Sequence, residues 1–363
     1  MPIAIGIKRE FELTGNDNNG DGCIFPRDPR NHVFAQALNY STKQIAQDAL
    51  KYLAFPFVIK LGASLVGIYS DGDAHAASDR QVMIRSDDNG ATWSSVDFYV
   101  TATGIFNFSL LTSLLTAGQS AVFKVWTVKN TAGTFAATVN STVSYGGLNY
   151  AQWSRTATAS GGRLYRTGYA TNGADTQTAL FESSDGGITW VGKSLMFSGV
   201  GRFYNEADLV NTSGTNWRAI CREDGGASNP LYVATSTDDG VTWSAATLLT
   251  VANINGRQPN LTKLADNSLI LATGDRSGSS GYGGSAGDEV SGFDTTGITV
   301  WRSTDAGVTW SFRTRIAPMF STDGGQPHVV ETTAGRVCVV FYSRKSTKTK
   351  PVIGSCLLDV AAL

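Results

Sequence analysis

The sequence has few charged side chains, little net charge and no long hydrophobic run. Charged residues make up 16% of its 363 residues, and the formal net charge is −1 at pH 7. A charge so close to zero gives no reason to expect binding to nucleic acid or to an anionic membrane surface. No apolar run approaches the roughly 20 residues needed to cross a bilayer, so we expect no membrane insertion.

Cysteine is also scarce, with four residues dispersed along the chain: Cys23, Cys221, Cys338 and Cys356. They form no C-x-x-C pair and no zinc-binding spacing, so we expect free thiols. The N-terminus lacks the basic start and apolar core of a signal peptide. These features predict a soluble protein that is either cytoplasmic or reaches a virion or the cell exterior without a Sec signal.

Glycine and short β-rich runs are abundant, and one phrase is repeated. The pattern S-x-D-x-G-x-T-W occurs at residues 86–93, 183–190, 236–243 and 303–310. Four copies cannot all be one active site. We therefore expect each Asp to accept backbone N–H bonds within a turn, each Gly to supply a positive φ, and each Trp to fill space between repeats.

The copies recur at intervals of roughly 50 residues or twice that, which is typical of a radial repeat. Each interval has room for four short strands separated by Gly/Asn/Asp-rich turns. We predict an all-β fold, a six-bladed β-propeller of four-stranded antiparallel blades, over residues 54–363.

The remaining residues, 1–53, form a predicted N-terminal segment with a strand at 3–13 and a helix over 40–53. The strand would complete the last blade and close the ring, because an open edge is a liability. An attachment arm is the alternative role for this segment.

The repeated phrase resembles the Asp-box, or BNR, repeat of the sialidase superfamily. The resemblance implies a sialidase-like propeller whose Asp-boxes lie away from the catalytic face. Loops of a meander alternate between its two ends, so the loops between second and third strands would share the functional face. The same propeller carries hydrolases, lyases and binding proteins, so the likeness alone leaves the activity open.

The resemblance also implies site residues. Glu206 and Arg222, in "NEAD" and "CRED", resemble the family's catalytic Glu and second arginine, and Arg276 in "GDR" resembles the third. Asp71 or Asp73, in "SDGDA", falls where the family has its acid/base Asp. Two such carboxylates can act as acid and base in glycoside hydrolysis, although Glu206 and Arg222 could instead form a structural ion pair.

Two family residues are missing. Ala54 stands where the family has the first arginine of its R-I-P motif, and Gln326 stands where it has the tyrosine nucleophile. Tyr342 and Tyr204 are the candidate substitutes for that tyrosine, and Tyr204 lies two residues from Glu206, on the same strand face.

The predicted functional face carries further polar and aromatic residues suited to a sugar. The candidate substrate-binding set is Arg222, Arg276, Arg257, Trp153, Tyr204, Gln326 and His328. Three functions fit this set: a glycan-binding propeller that has lost its nucleophile, an active glycoside hydrolase, or a structural assembly module. The Ser/Thr/Asn/Gly-rich composition also fits a receptor-binding phage tail protein, attached to a larger assembly or forming a homo-oligomer.

One motif lies before the repeats. Residues 17–28 place Asp17, Asn19, Asp21 and Asp28 at positions 1, 3, 5 and 12 of a calcium-loop pattern. The pattern's usual last residue is Glu, and Pro26 interrupts the loop, so a simple Asn/Asp/Gly turn is the alternative. We expect no other cofactor.

Overall fold

The structure is a computed structural model, and the regular secondary structure of its described residues is almost entirely β-strand. It describes residues 40–61, 63–74, 77–96, 104–111, 123–131, 134–140, 143–152, 158–185, 189–225, 230–249, 256–275, 297–311, 314–319, 324–344 and 350–363. A single turn of 3-10 helix, Val360–Ala362, follows the last strand. None of the described segments forms a helix long and apolar enough to cross a membrane.

The strands form six antiparallel sheets, numbered here in chain order. Strand β1 (Tyr40–Ala46) belongs to sheet 6 and is described with it below. Sheet 1 contains β2 (Tyr52–Leu61), β3 (Ser64–Ala74), β4 (Ala77–Ser86) and β5 (Ser94–Val96). Sheet 2 contains β6 (Gly104–Leu111), β7 (Phe123–Thr131) and β8 (Thr134–Asn140). Sheet 3 contains β9 (Val143–Tyr145), β10 (Leu148–Gln152), β11 (Thr158–Ser160), β12 (Arg163–Asn172), β13 (Asp175–Ser183) and β14 (Val191–Phe197).

The C-terminal half contributes the other three sheets. Sheet 4 contains β15 (Tyr204–Ser213), β16 (Asn216–Glu223), β17 (Leu231–Ser236) and β18 (Thr247–Leu248). Sheet 5 contains β19 (Gly256–Lys263), β20 (Leu269–Asp275), β21 (Gly297–Ser303) and β22 (Thr314–Pro318). Sheet 6 contains β23 (Gly325–Thr333), β24 (Arg336–Ser343) and β25 (Val352–Asp359), with β1 added beside β25. Apolar side chains pack between sheets 3 and 4 and between sheets 4 and 5, and they include the buried Trp217 and Trp301.

The helix predicted over residues 40–53 is wrong. Residues 40–46 are strand β1, which pairs antiparallel with β25, so that Thr42 lies opposite Cys356. Strand β2 then begins at Tyr52. Pairing with an unsatisfied strand edge outweighs the modest local preference for helix. Sheet 6 thereby joins the two ends of the described chain; the closing strand predicted at 3–13 lies outside the described residues.

The repeated phrase has the structural role predicted for it. In the third copy, Asp238 accepts the backbone N–H of Thr242 at 2.9 Å and its hydroxyl at 2.5 Å, and Gly240 has a φ of 75°. The indole N–H of Trp243 donates to Ser194 Oγ of sheet 3 at 3.0 Å. The acids of the phrase therefore hold a turn, and its tryptophan packs across to the neighbouring sheet.

These turns lie at one end of the sheets. The N–H of Asp239 donates to the carbonyl of Thr215 at 2.9 Å, which places the repeated turn beside the turn that joins β15 to β16. The loops between second and third strands lie at the opposite end, because successive strands of a meander run in opposite directions. Glu206, Arg222 and Asp71 thus lie at the end opposite the Asp-rich turns.

The first strands of sheets 4, 5, 6 and 1 contact one another in succession and are joined by a ladder of buried side chains. In each step, a polar side chain of one first strand accepts a backbone N–H of the next. The N–H of Leu261 donates to Asp208 at 2.9 Å, that of Val329 donates to Asn260 at 2.8 Å, and that of Val58 donates to His328 Nδ1 at 3.4 Å. We call Asp208, Asn260 and His328 the ladder residues.

Candidate functional site

The site is centred on the start of β15 and the end of β16, which are neighbours in sheet 4. Tyr204 pairs with Glu223 there, and a register shift follows between Tyr204 and Ala207. Such a bulge redirects a side chain, as is common next to active sites. Glu206 and Arg222 meet at this bulge, at the end of sheet 4 away from the repeated turns.

Arg222 is held between two carboxylates. Its Nη1 atom lies 2.8 Å from Glu206 Oε2, and its Nε and Nη2 atoms donate to the two oxygens of Asp224 at 2.7 and 2.5 Å. Burial lowers the pKa of Arg222, but the charges of Glu206 and Asp224 more than offset it and hold that pKa above its ordinary value. The guanidinium is therefore charged, and each of its three nitrogens contacts a carboxylate.

Glu206 is fixed by the neighbouring sheet as well. Its Oε2 accepts the backbone N–H of Gln258 at 2.9 Å, and its own N–H donates to Asn205 Oδ1 at 2.6 Å. Within the described part of the chain, its other carboxylate oxygen, Oε1, takes part in none of these bonds. Glu206 thus has one oxygen committed to the fold and one available to a ligand.

Sheet 5 adds Arg257, whose Nη2 lies 3.8 Å from Asp224 Oδ1. The next residue, Gln258, has a φ of 56° and precedes Pro259, at a register shift in the strand. Phe55 has the same positive φ, the same following proline and the same shift. Arg257 in sheet 5 therefore corresponds to Ala54 in sheet 1, so the R-x-P pattern missing at Ala54 occurs in another sheet.

Asp224, Asn205 and Tyr169 belong to the cluster but were not expected from the sequence. Asn205 Nδ2 donates to Asp224 Oδ2 at 2.8 Å. Burial, and then the negative charge of Glu206, raise the pKa of the Tyr169 hydroxyl on β12. The "CRED" stretch gives a signal for Asp224, since only Glu223 separates it from Arg222; Tyr169 has no such signal.

The two candidate acids of sheet 1 lie in different surroundings. Asp71 is buried near the end of β3, where its backbone pairs with Leu53. Asp73 is exposed, and a hydrogen bond from Lys51 at 2.7 Å lowers its pKa. The lysine favours the ionised form of Asp73 and so makes it a poor proton donor, which leaves Asp71 as the better candidate for a general acid.

The candidate substitute tyrosines are both buried. Tyr342 lies in an apolar cluster with Tyr52, and its ring centroid is 5.5 Å from that of Phe55. Tyr204 packs against the ring of Tyr232 at 5.4 Å, and burial raises the pKa of its hydroxyl. A buried phenol with a raised pKa is poorly suited to act as a nucleophile.

The remaining candidates are Gln326 and His328, which are among the described residues, and six others that are not. Gln326 is buried, and its N–H donates to Gln258 Oε1 at 2.8 Å; His328 is a ladder residue further along β23. The others lie outside the described residues: Trp153, Arg276, Asp17, Asn19, Asp21 and Asp28. In the described ranges, no group of three or more His, Cys, Asp or Glu side chains is arranged to hold a metal ion. The calcium loop stays a prediction.

Comparison with known proteins identifies the fold. No protein-family model matches the sequence, and no curated protein matches it. Among solved structures, a Dyadobacter fermentans protein of unknown function has a TM-score of 0.64 at 18% identity, covering 88% of this chain and 97% of that one. The phage phi92 endosialidase has a TM-score of 0.58 at 12% identity, covering 89% and 70%. The fold is sialidase-like.

A second kind of glycan-acting enzyme shares this sialidase-like fold. The Penicillium chrysogenum α-L-arabinanase, solved with arabinobiose, has a TM-score of 0.55 at 12% identity and covers 88% of this chain and 99% of its own. At such low identities the likeness concerns the fold alone, so any function must be argued from the residues of the site.

Proposed function

We propose that the six sheets are the blades of a six-bladed propeller that recognises carbohydrate at the end where Glu206 and Arg222 meet. The succession of contacts between first strands supports the propeller, because first strands surround the axis of such a fold. Structural neighbours that act on glycans support the ligand class. The hydrogen-bonded cluster of the buried Glu206 and Arg222 with the half-buried Asp224 supplies fixed polar groups of the kind that orient a sugar.

The observation that carries the proposal is the pairing of Arg222 with two carboxylates. All three of its nitrogens bond Glu206 or Asp224, and these two carboxylates together outweigh its single positive charge, so this guanidinium is a poor partner for the carboxylate of an acidic sugar. Ala54 supplies no guanidinium in sheet 1. Glu206 Oε1 is an acceptor for a hydroxyl group, which favours a neutral glycan over a sialylated one.

The test is a glycan array containing neutral pentose and hexose oligosaccharides beside sialylated ones, followed by calorimetry on the best ligand. We expect binding to neutral glycans and a loss of at least about tenfold in affinity for Glu206→Gln, the effect of removing one charge-assisted hydrogen bond. Glu182→Gln is the control and should bind normally, because Glu182 pairs with Arg163 at the end of β13 next to a repeated turn. Binding restricted to sialylated glycans, or no binding at all, contradicts the proposal.

A glycoside hydrolase is the second candidate, favoured by the available oxygen of Glu206 and by the burial of Asp71. If the chain hydrolyses the glycan that it binds, Glu206→Gln and Asp71→Asn should each reduce kcat by roughly 10²–10⁴-fold. A purely binding protein would show no turnover to lose. Asp73→Asn is the matched control for Asp71→Asn and should leave kcat near its original value.

The receptor-binding role is part of the same proposal. The phage phi92 endosialidase shows that a phage protein can have this fold. If this chain recognises a host surface, the purified protein should adhere to host cells, and free neutral glycan should release it. Adhesion that persists in Glu206→Gln would place the contact elsewhere and favour a structural assembly module.

A further inference from the structure

A cavity of about 570 Å³ lies between the first strands of sheets 1, 4, 5 and 6, away from the candidate glycan site. Glu206 is near the start of β15, whereas Val210 and Asn211 of the same strand line the cavity. The cavity is therefore on the side of the repeated turns. Its size lies in the range of small-molecule sites, which is about 300–1,000 Å³.

The floor of the cavity is formed by the ladder residues, whose acceptor atoms are already used. The carboxylate of Asp208 accepts the N–H groups of Leu209 and Leu261 and the amide of Asn260. His328 Nδ1 accepts the N–H of Val58 at 3.4 Å. The one acid of the floor thus bonds the fold rather than the cavity.

The mouth of the cavity is formed three residues further along each first strand. Lys60, Asn211, Lys263 and Glu331 stand there at corresponding positions of four neighbouring strands. The carboxylate of Glu331 accepts the backbone N–H of Ala265 at 2.7 Å and that of Gly335 at 3.2 Å. Both of its oxygens are therefore engaged as well.

Unlike the acids Asp208 and Glu331, the two lysines at the mouth have hydrogen-bonding groups that remain unused. Lys263 Nζ donates to the carbonyl of Thr212 at 2.8 Å, and Lys60 Nζ donates to the carbonyl of Thr332. Among the described residues, neither ammonium has a carboxylate within salt-bridge distance. Each ammonium has three donors and uses one, so two donors remain on each.

We propose that this cavity is a second binding site, which takes a small oxyanion, a carboxylate or a phosphate, between Lys60 and Lys263. The acids nearby give their lone pairs to backbone N–H groups, whereas the ammonium groups have donors to spare. Asn211 and Thr262 at the same mouth can bond the hydroxyl groups of a polyhydroxylated ligand. Lysine is a common partner of phosphate groups in proteins.

The experiment is calorimetric titration of the full chain with inorganic phosphate and, separately, with citrate, at an ionic strength fixed with sodium chloride. We expect saturable binding of at least one of them at one site. Lys60→Met and Lys263→Met should each weaken it by at least about tenfold, the effect of losing one charge-assisted hydrogen bond. Which anion binds more tightly distinguishes a phosphate site from a carboxylate site.

Arg336→Met is the matched control, because Arg336 is exposed at the turn between β23 and β24, near the mouth but outside the cavity lining. It removes the same charge and should leave the affinity unchanged. Thermal melting of each variant without ligand, and glycan binding at the opposite end, show that the variants are folded.

Three results overturn the proposal. The first is an absence of saturable binding of either anion to the original chain. The second is an unchanged affinity in folded Lys60→Met and Lys263→Met. The third is an equal loss in Arg336→Met, which would indicate a general effect of charge. Glycan binding is measured independently, so failure of this site leaves the proposed glycan site untouched.

Discussion

The Nη1 atom of Arg222 lies 2.8 Å from Oε2 of Glu206, and both side chains are buried at the end of sheet 4 away from the repeated turns. An ion pair in this position stabilises little by itself, because desolvation consumes much of the attraction. Losing one partner is costly, however, since the other charge then stays buried without compensation. The pair is therefore a sensitive point of both the fold and the site.

We expect Arg222→Met to destabilise the protein by about 3–5 kcal/mol, because two carboxylates lose their common cation. Arg163→Met is the control: Arg163 pairs with Glu182 at 2.9 Å on an exposed surface, and its loss should cost about 1 kcal/mol or less. Denaturant unfolding at pH 7 measures both. Equal effects in the two variants would mean that Arg222 is not buried as described.

The acids of the repeated turns predict a dependence of stability on pH. Hydrogen bonds from Thr242 and Ser236 lower the pKa of Asp238 to about 2, and Asp305 is affected similarly. A carboxyl whose folded pKa lies below its unfolded value stabilises the protein fully above about pH 4. That contribution is lost as the pH falls towards 2.

Asp238→Asn should therefore melt at a lower temperature than the original chain at pH 7, and the difference should shrink between about pH 4 and pH 2. Thr242→Val, which removes only the hydroxyl donor, should show a smaller difference with the same trend. Melting curves from pH 7 to pH 2 provide the measurement. A difference that stays constant to pH 2 would show that ionisation of Asp238 is irrelevant.

The glycine of the same turn gives a steric prediction. A Cβ on Gly240, whose φ is 75°, would lie 2.6 Å from Leu180 Cδ2, whereas a Cβ on Gly173, with a φ of 64°, would have nothing within 4 Å. Both alanine variants incur the cost of a positive φ, about 1–2 kcal/mol. Gly240→Ala should be less stable than Gly173→Ala in chemical unfolding, because the packing clash is added. Equal losses would indicate that Leu180 moves aside.

Strand β1 predicts a test of how sheet 6 is completed. N–H groups alternate in direction along a strand, so only one of Thr42 and Lys43 can direct its N–H towards β25. Proline at that position removes a ladder bond and should cost at least about 1 kcal/mol more than proline at its neighbour.

Thiol labelling tests independently whether β1 protects the edge of β25, in a variant that carries Cys23→Ser. Cys338 and Cys356 are free and buried in sheet 6, and burial raises the pKa of Cys338. Deleting β1 exposes the edge of β25, so native-state labelling of Cys356 should accelerate, while that of Cys221 in sheet 4 should not. Equal rates in the deleted and original chains would show that β1 does not protect this edge.

The sequence is informative about the parts of the fold that repeat. Four copies of one phrase indicate the turn chemistry around Asp238 and the packing of Trp243, because these depend on residues close together in the chain. Strand β1 could not be found in this way, since its partner β25 is more than 300 residues distant. Local preference in "YSTKQIAQDAL" then favoured the wrong structure.

In the candidate site too, residues in short local motifs could be predicted from the sequence, whereas residues brought together from distant parts of the chain could not. Glu206 and Arg222 could be proposed because each lies in a short recognisable stretch. Tyr169 and Arg257 come from other sheets, and their approach to the cluster depends on how first strands and bulges align. The R-x-P pattern at Arg257 can be read from the sequence. Its equivalence to the position of Ala54 is apparent only in the structure, from the positive φ that the following residues, Gln258 and Phe55, share.

The ladder of Asp208, Asn260 and His328 has a consequence for how such a protein can change over evolutionary time. Each rung joins one sheet to the next through a backbone N–H, so a residue inserted into a first strand would break the bonds on both of its sides. The loops beyond the strand ends take no part in the rungs and can lengthen, shorten or exchange residues freely. New ligand preferences can therefore arise at the ends of the molecule while its frame stays in register.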